Sequence, residues 1–224
     1  MKFKRLRAFI LILILVIGTS GMISNTSFSK ASEESGYAGS IRTATTVLRE
    51  SKSSSSKALA KIAKGKKVTV NYTSGKWRKI SYKGIYGFVP KERVYISTKA
   101  PSLKGMTAKE KGETIASFAQ RFKGNKYRYG KTDLNNGTDC SGFVGSVYKA
   151  FGYKLPRSSS EQRRVGRSVK KGKIQAGDIV CYSGHVAIYI GDGRIVHAST
   201  RKTGIKISNN YKYRKICSIR RIVK

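Results

Sequence analysis

Between His185 and His197 the chain reads His-Val-Ala-Ile-Tyr-Ile-Gly-Asp-Gly-Arg-Ile-Val-His, and these are the only two histidines in 224 residues. Two β-branched runs about a Gly-Asp-Gly centre predict a β-hairpin. The loop length decides which side chains share a face, because a slip of one residue turns every side chain over. A three-residue loop, Gly191 to Gly193, sets His197 opposite Ala187 and diagonal to His185 on one face. The other face then collects Val186, Ile188, Ile190, Val196 and Ala198 as an apolar underside. A two-residue loop, Asp192-Gly193, puts His197 among Ile188 and its neighbours instead. The longer loop leaves the cleaner sheet and sets the imidazoles side by side, about 7–8 Å apart at Cα.

A second feature asks for a partner of this kind. In Thr138-Asp139-Cys140-Ser141-Gly142-Phe143, Asp139 is a good N-cap, and Phe143, Val144, Val147, Tyr148 and Phe151 follow at helical spacing until Gly152. Cys140 falls in the first turn. There the free backbone N–H groups and the helix dipole favour a thiolate. A small apolar residue buried at a helix start is the other reading of such a cysteine.

The order Asp139-Cys140-Ser141-Gly142-Phe143, Gly177-Asp178-Ile179-Val180, His185-Val186-Ala187-Ile188-Tyr189-Ile190-Gly191 and His197-Ala198 resembles the NlpC and P60 family of papain-like cell-wall peptidases. Tyr127-Arg128-Tyr129-Gly130, Leu155-Pro156-Arg157-Ser158 and Gln162 also look like that family, so the likeness runs from about 108 to 220. The resemblance implies Cys140 as nucleophile, His185 as its proton partner and His197 as the group that orients His185. It implies Tyr127 as a second oxyanion donor beside the Cys140 N–H. Asp139 and Ser141 match positions that in some members bind the amino-terminal side of the peptide, and Arg157 is placed to meet a substrate carboxylate. Each of these three also has a local reading, as cap, first-turn residue and solvent-facing charge. The implied substrate is the peptidoglycan stem peptide, cut between the D-glutamate side-chain carboxyl and a diamino acid. A thiol, a proton carrier and oxyanion donors need no cofactor. Cys181, His185 and His197 lack metal-site spacing. Lys131 stands where the family usually has glycine, a cation beside the cleft or one in solvent.

Residues 1 to 31 carry a basic start, an apolar run from Ala8 to Ile17 and a small-residue end at Ser29-Lys30-Ala31. This predicts a secretory signal cleaved after Ala31, since the run is short of the ~20 residues of a membrane span. No membrane span is expected after cleavage. Cleavage removes five of the 47 basic residues and no acidic one, leaving 42 against 11 and a net charge of +31. An exported chain so basic is expected to meet anionic wall polymers rather than nucleic acid.

Residues 38 to 97 hold short β-rich runs parted by Lys64-Gly65, Ser74-Gly75 and Lys83-Gly84, the spacing of a small all-β barrel. Their order, ending Ile85-Tyr86-Gly87-Phe88-Val89, resembles a bacterial SH3-like domain, although Arg49-Glu50-Ser51-Lys52 and Ser53 to Ser56 replace the family's usual first loop. Trp77 is a ligand platform or, more often in a barrel this small, core. Residues 98 to 106 read as a linker with Pro101 and Gly105. Thr107 and Glu110 form a capping box for a helix whose face carries Ile115, Phe118, Ala119 and Phe122. A Gly-, Asn- and Tyr-rich loop from Asn125 to Thr138 leads to Cys140, and a polar stretch after the cysteine helix runs to Gln175. Strands are expected at about 178–183, 185–190, 194–199, 205–209 and 216–222. The whole is an α+β papain-like cysteine peptidase domain, from 107 to 224, behind a small all-β SH3-like barrel. Cys181 and Cys217 are a candidate disulfide or two free thiols on strands.

Overall fold

The computed structural model describes residues 36–224, so the expected signal segment lies outside the described residues. Seven strands come first: β1 (Tyr37–Ile41), β2 (Thr46–Arg49), β3 (Ala58–Ile62), β4 (Lys67–Ser74), β5 (Trp77–Tyr82), β6 (Ile85–Pro90) and β7 (Val94–Ile96). They form one antiparallel sheet in the order β3-β2-β6-β5-β4-β1-β7. Alternation explains its inside: Val68 and Val70 on β4, Ile80 on β5 and Val89 on β6 are buried while their neighbours face out. The serine-rich loop after β2 is closed by its own hydrogen bonds and by Arg49, whose guanidinium donates to the Ser56 carbonyl at 2.6 Å.

Trp77 is not core, contrary to the expectation for a barrel this small. It begins β5 and is half-buried, and the pleat gives the next inward position to Arg78, which is 1% exposed. Arg78 donates to the Lys91 and Val94 carbonyls, to Thr73 and to Asn125 across the domain boundary. Burial without a carboxylate partner pulls its pKa down to about 10.

The second domain opens with α1 (Ala108–Gln120), whose Thr107–Glu110 capping box is formed and whose Ile115, Phe118 and Ala119 are buried. The short pair β8 (Thr132–Asp133) and β9 (Gly137–Thr138) precedes α2 (Cys140–Ala150). The stretch expected to be merely polar holds α3 (Ser159–Gln162), with a capping box of its own, and β10 (Arg167–Ser168). Then come β11 (Ile179–Tyr182), β12 (His185–Gly191), β13 (Arg194–Thr200), β14 (Gly204–Ser208) and β15 (Ile216–Arg221). The sheet order is β10-β15-β11-β12-β13-β14, antiparallel throughout.

The hairpin has the register of the three-residue loop but a different turn. Ile188 faces Val196 and Tyr189 faces Ile195, yet Gly191 faces Arg194, so Asp192 and Gly193 alone make the turn. Both have positive φ, 51° and 73°, as a type I′ turn requires. A bulge between Tyr189 and Gly191 absorbs the slip. Val186, Ile188, Ile190, Val196 and Ala198 accordingly pack with α1 and α2 in the main core. The opposite face is also covered: Tyr189 and Ile195 pack with Val180, Tyr182, Tyr211 and Ile216.

Cys181 and Cys217 are both free, the first buried and the second exposed. Cys181 pairs with Ser218 in the β11–β15 ladder, and the irregularity that follows leaves Cys217 unpaired and turned outward.

The two domains are joined by polar contacts that converge on the loop leading to Cys140. The Asn135 side chain accepts from the Ile96 N–H at 2.8 Å and donates to the Ile96 carbonyl at 2.9 Å, prolonging β7 by a side-chain amide. Tyr37 donates to the Arg121 carbonyl at 3.0 Å. Asn125, held by Arg78, donates to the Leu134 carbonyl at 2.8 Å and accepts from the Ile205 N–H at 2.8 Å.

Helix α1 sits close on the segment before β11, where a Cβ on Gly112 would lie 2.2 Å from the Ala176 carbonyl oxygen. Gly112→Ala is therefore expected to cost about 1–3 kcal/mol in urea unfolding. Gly172→Ala, with nothing within 4 Å of the added carbon, is expected to change stability far less, and equal effects would contradict the packing.

Candidate active site

Asp139 caps α2 as its sequence suggests: Oδ1 accepts from the Gly142 N–H at 2.8 Å. Its other oxygen accepts from the Gly130 N–H at 2.8 Å, and Arg157 grips both, at 3.0 and 2.5 Å. Burial opposes the charge, but Arg157, Gly142 and Gly130 overcome it and hold the carboxyl below its usual range. Arg157 also donates to Ser141 at 2.9 Å. Asp139, Ser141 and Arg157 are thus one internal cluster, and the guanidinium expected to meet a substrate carboxylate is already engaged. Gln162, fully buried at the end of α3, donates to the Ser141 and Pro156 carbonyls and locks the first turn of α2 from behind.

Cys140 is half-buried at the head of this helix. The N–H of Val186, directly after His185, points at its sulfur, as do the N–H groups of Cys140 and Ser141. Yet burial outweighs these donors, and the neighbouring Asp139 charge adds to it, so the thiol pKa lies above its ordinary value. The thiolate expected from the helix start is therefore not the resting form. The helix is as anticipated; desolvation is the larger effect.

His185 Nε2 lies 2.7 Å from His197 Nδ1, and His197 Nε2 lies 3.0 Å from Ser208 Oγ. The two imidazoles meet edge to face, centroids 5.0 Å apart. This leaves His185 Nδ1 as the ring nitrogen of the pair without a hydrogen-bond partner among the described residues. For it to accept a proton, Nε2 must carry hydrogen and donate to His197, which then donates to Ser208. His185 is 7% exposed and His197 1%, so both imidazoles are buried. Tyr182 stacks on His185 at 6.1 Å, and Tyr213 approaches His197 at 5.9 Å. Burial, with the Arg214 charge, lowers His185 to about 4; burial, then His185, Lys206 and Arg214, lower His197 to about 3. Burial thus favours the neutral form of the thiol and of both imidazoles.

Tyr127 is half-buried near the sulfur: burial raises its pKa, and the charges of Cys140 and Asp139 would raise it further, so its hydroxyl stays a donor. Lys131 is exposed, although its carbonyl accepts from the Asp139 N–H at 3.1 Å. Ser208, Tyr182, Tyr213 and Arg214 were not legible as site residues; only the tyrosine three residues before His185 offered a signal, through the tight turn between them.

Residues 124–221 match the NlpC/P60 family and residues 44–96 a bacterial SH3 domain. The second domain is an NlpC/P60 domain. A murein DD-endopeptidase/murein LD-carboxypeptidase of Escherichia coli K12 is 43% identical over 94 residues, 39% of this chain and 49% of that protein. A gamma-D-glutamyl-L-lysine dipeptidyl-peptidase of Bacillus cereus is 33% identical over 103 residues, 42% of this chain and 31% of its own. The chain spans about half the length of the first of these, or less in the second. In fold, the structure of NlpC2 from Trichomonas vaginalis matches 84% of this chain and 73% of its own, with a TM-score of 0.50 at 20% identity. The NlpC/P60 domain is an α+β fold preceded by an all-β SH3-like sheet, and the curated relatives are peptidases of this family.

The two histidines fix a pH signature. Unfolded, each takes up a proton near its ordinary 6.5; folded, each refuses it until about 4 and about 3. Their contribution is complete above 6.5 and is lost as pH falls toward 4. Thermal unfolding of the full chain is expected to show a midpoint dropping across that window, with a shallower drop in His197→Asn.

Proposed function

We propose that this chain is a secreted, wall-associated peptidoglycan hydrolase that cuts stem-peptide amide bonds through a thioacyl-enzyme. The observation that supports it is twofold: the N–H of Val186, the residue next to His185 on β12, reaches the sulfur of the helix-start Cys140, and His185 Nε2 meets His197 Nδ1 at 2.7 Å while His197 Nε2 meets Ser208 Oγ at 3.0 Å. The charge of +31 after signal cleavage supports retention among peptidoglycan carboxylates and anionic wall polymers. Among the described residues no helix is long and apolar enough to cross a membrane.

In the first half-reaction the Cys140 proton passes to His185 Nδ1 as the sulfur adds to the amide carbon. The oxygen of the tetrahedral adduct accepts from the Cys140 N–H and from Tyr127. His185 returns its proton to the amine nitrogen as the C–N bond breaks, leaving a thioester. Water then gives a proton to His185 while its oxygen attacks the thioester, and the departing sulfur takes that proton back. His197 keeps Nδ1 of His185 free to accept and steadies the imidazolium, the part that Asn or Asp plays in other thiol peptidases. From a neutral pair the proton moves uphill, so its transfer is coupled to sulfur–carbon bond formation and offset by the oxyanion donors.

The bond favoured is that between the D-glutamate side-chain carboxyl and the diamino acid. A free peptide amine at Asp139 and Ser141 would have to displace Arg157 from both. That supports cutting within longer stems rather than removal of amino-terminal dipeptides. The D,D bond named for the E. coli relative is the second reading, supported by the higher identity. An amidase or acyltransferase would use the same thioacyl step, and an inactive wall-binding protein would use none of it.

Mass analysis of muropeptides digested by wild type and Cys140→Ala tests the proposal. New γ-glutamyl termini are expected with wild type alone, and identical digests would defeat it. His185→Ala is expected to lower kcat/KM about 10²–10⁴-fold. His197→Asn should retain more activity than His197→Ala, because an amide can still accept from His185 Nε2.

A further inference from the structure

The loop between β14 and β15 brings two side chains to the histidines that the catalytic steps do not use. It is strapped to the sheet by its middle: Tyr211 donates its N–H to the Gly193 carbonyl at 2.8 Å, accepts from the Tyr182 hydroxyl at 2.6 Å and packs on the Tyr189 ring at 5.3 Å. So held, the loop presents Tyr213 against Tyr182 at 5.2 Å and against His197 at 5.9 Å. Tyr213 remains 39% exposed. The Arg214 guanidinium lies over that ring, 5.3 Å from its centroid. Arg214 is exposed and makes no ion pair among the described residues.

An arginine pre-set on an aromatic plate, unpaired, beside the imidazoles is built to receive a planar anion. Its position says which half of a substrate it meets. The imidazole must deliver its proton to the leaving nitrogen, so exposed groups that flank the histidine pair border the amine half of the peptide. On the other flank the guanidinium of Arg157 is spent on Asp139. We propose that Arg214, carried on Tyr213, determines specificity by pairing with a carboxylate in the amine half of the substrate. The proposal rests on the peptidase reading above. The favoured ligand class is a stem peptide whose amine-donating residue, or the one after it, keeps a free carboxylate. Peptides amidated at that carboxyl are the disfavoured class.

The test uses the full chain and two synthetic stem peptides that differ only in a carboxylate or carboxamide on the amine half. Wild type is expected to prefer the carboxylate by about tenfold in kcat/KM, mostly through KM, as a charge-assisted bidentate contact provides. In Arg214→Gln the ratio is expected to fall to near one, with Arg214→Lys between. The wild-type preference needs no variant, so it is read even if a substitution harms folding. No preference in wild type, or an unchanged ratio in Arg214→Gln, overturns the proposal. If wild type cleaves both peptides equally and Cys140→Ala neither, only the role of Arg214 falls. If wild type and Cys140→Ala are equally inert on both, the peptidase reading falls and takes this with it.

Discussion

The register of β12 against β13 is the constraint on which the chemistry depends. It turns one set of side chains, Val186, Ile188, Val196 and Ala198, into the core beneath α1 and α2, and the other set, His185 and His197, onto a common face with their nitrogens 2.7 Å apart. The turn alone would not produce it. Asp192-Gly193 is the tight two-residue turn favoured by strand twist, and by itself it would shift the pairing by one. The bulge before Gly191 takes up the extra residue, so the favoured turn and the needed register coexist. A slip would carry His197 away from His185 to the face of Ile188 and turn Val196 and Ala198 out of the main core, a change no local adjustment could offset.

Around that face the buried carboxylates are each committed to partners of their own. The Asp139 carboxylate, which could drive the nearby thiol further toward neutrality, is saturated by two N–H groups and Arg157. Asp178 is likewise gripped by Arg221 at 2.7 Å and buried with it. The Arg221–Asp178 pair is buried, costly to form and costlier to break, whereas Arg157 stays largely exposed; both pairs lie at chain segments that lead into the site. Asp139 starts the cysteine helix, and Asp178 precedes the strand that pairs with β12. Their value is positional: each ties a loop backbone to a side chain from a distant part of the chain.

Much of this was legible in the sequence because it is periodic or local. Helix α2, its Asp139 cap and its stop at Gly152, the Thr107 capping box and the five long strands of the second sheet follow from spacing and turn residues alone. What was missed depends on three-dimensional juxtaposition. Trp77 is large and apolar, but the pleat assigns the inward position to Arg78, whose buried carbonyl partners no local pattern announces. The raised pKa of Cys140 is out of reach of the sequence for a related reason: helix position is readable, whereas the desolvation that opposes it comes from packing. Ser208 reaches His197 only because β14 lies beside β13. The aromatic loop at 211–214 covers a sheet face that alternation alone leaves half open.

The same reasoning bears on the first domain. A module whose role was only to tether would need nothing from the peptidase surface beyond a linker. Here Arg78 and the Ile96 backbone hold Asn125 and Asn135, the two residues that bracket most of the loop carrying Tyr127, and Asn125 in turn accepts from Ile205 on β14. Gly204 fits against the Asn125 carbonyl only because it lacks a Cβ, which would lie 2.2 Å from that oxygen. The SH3-like sheet therefore holds the Tyr127 loop through side-chain amides and, through the Asn125 carbonyl, reaches β14, which lies beside the His197 strand. Removing it would leave a loop rich in glycine and asparagine to find its conformation unaided. The two domains form one mechanical unit at the point where the chemistry requires fixed geometry.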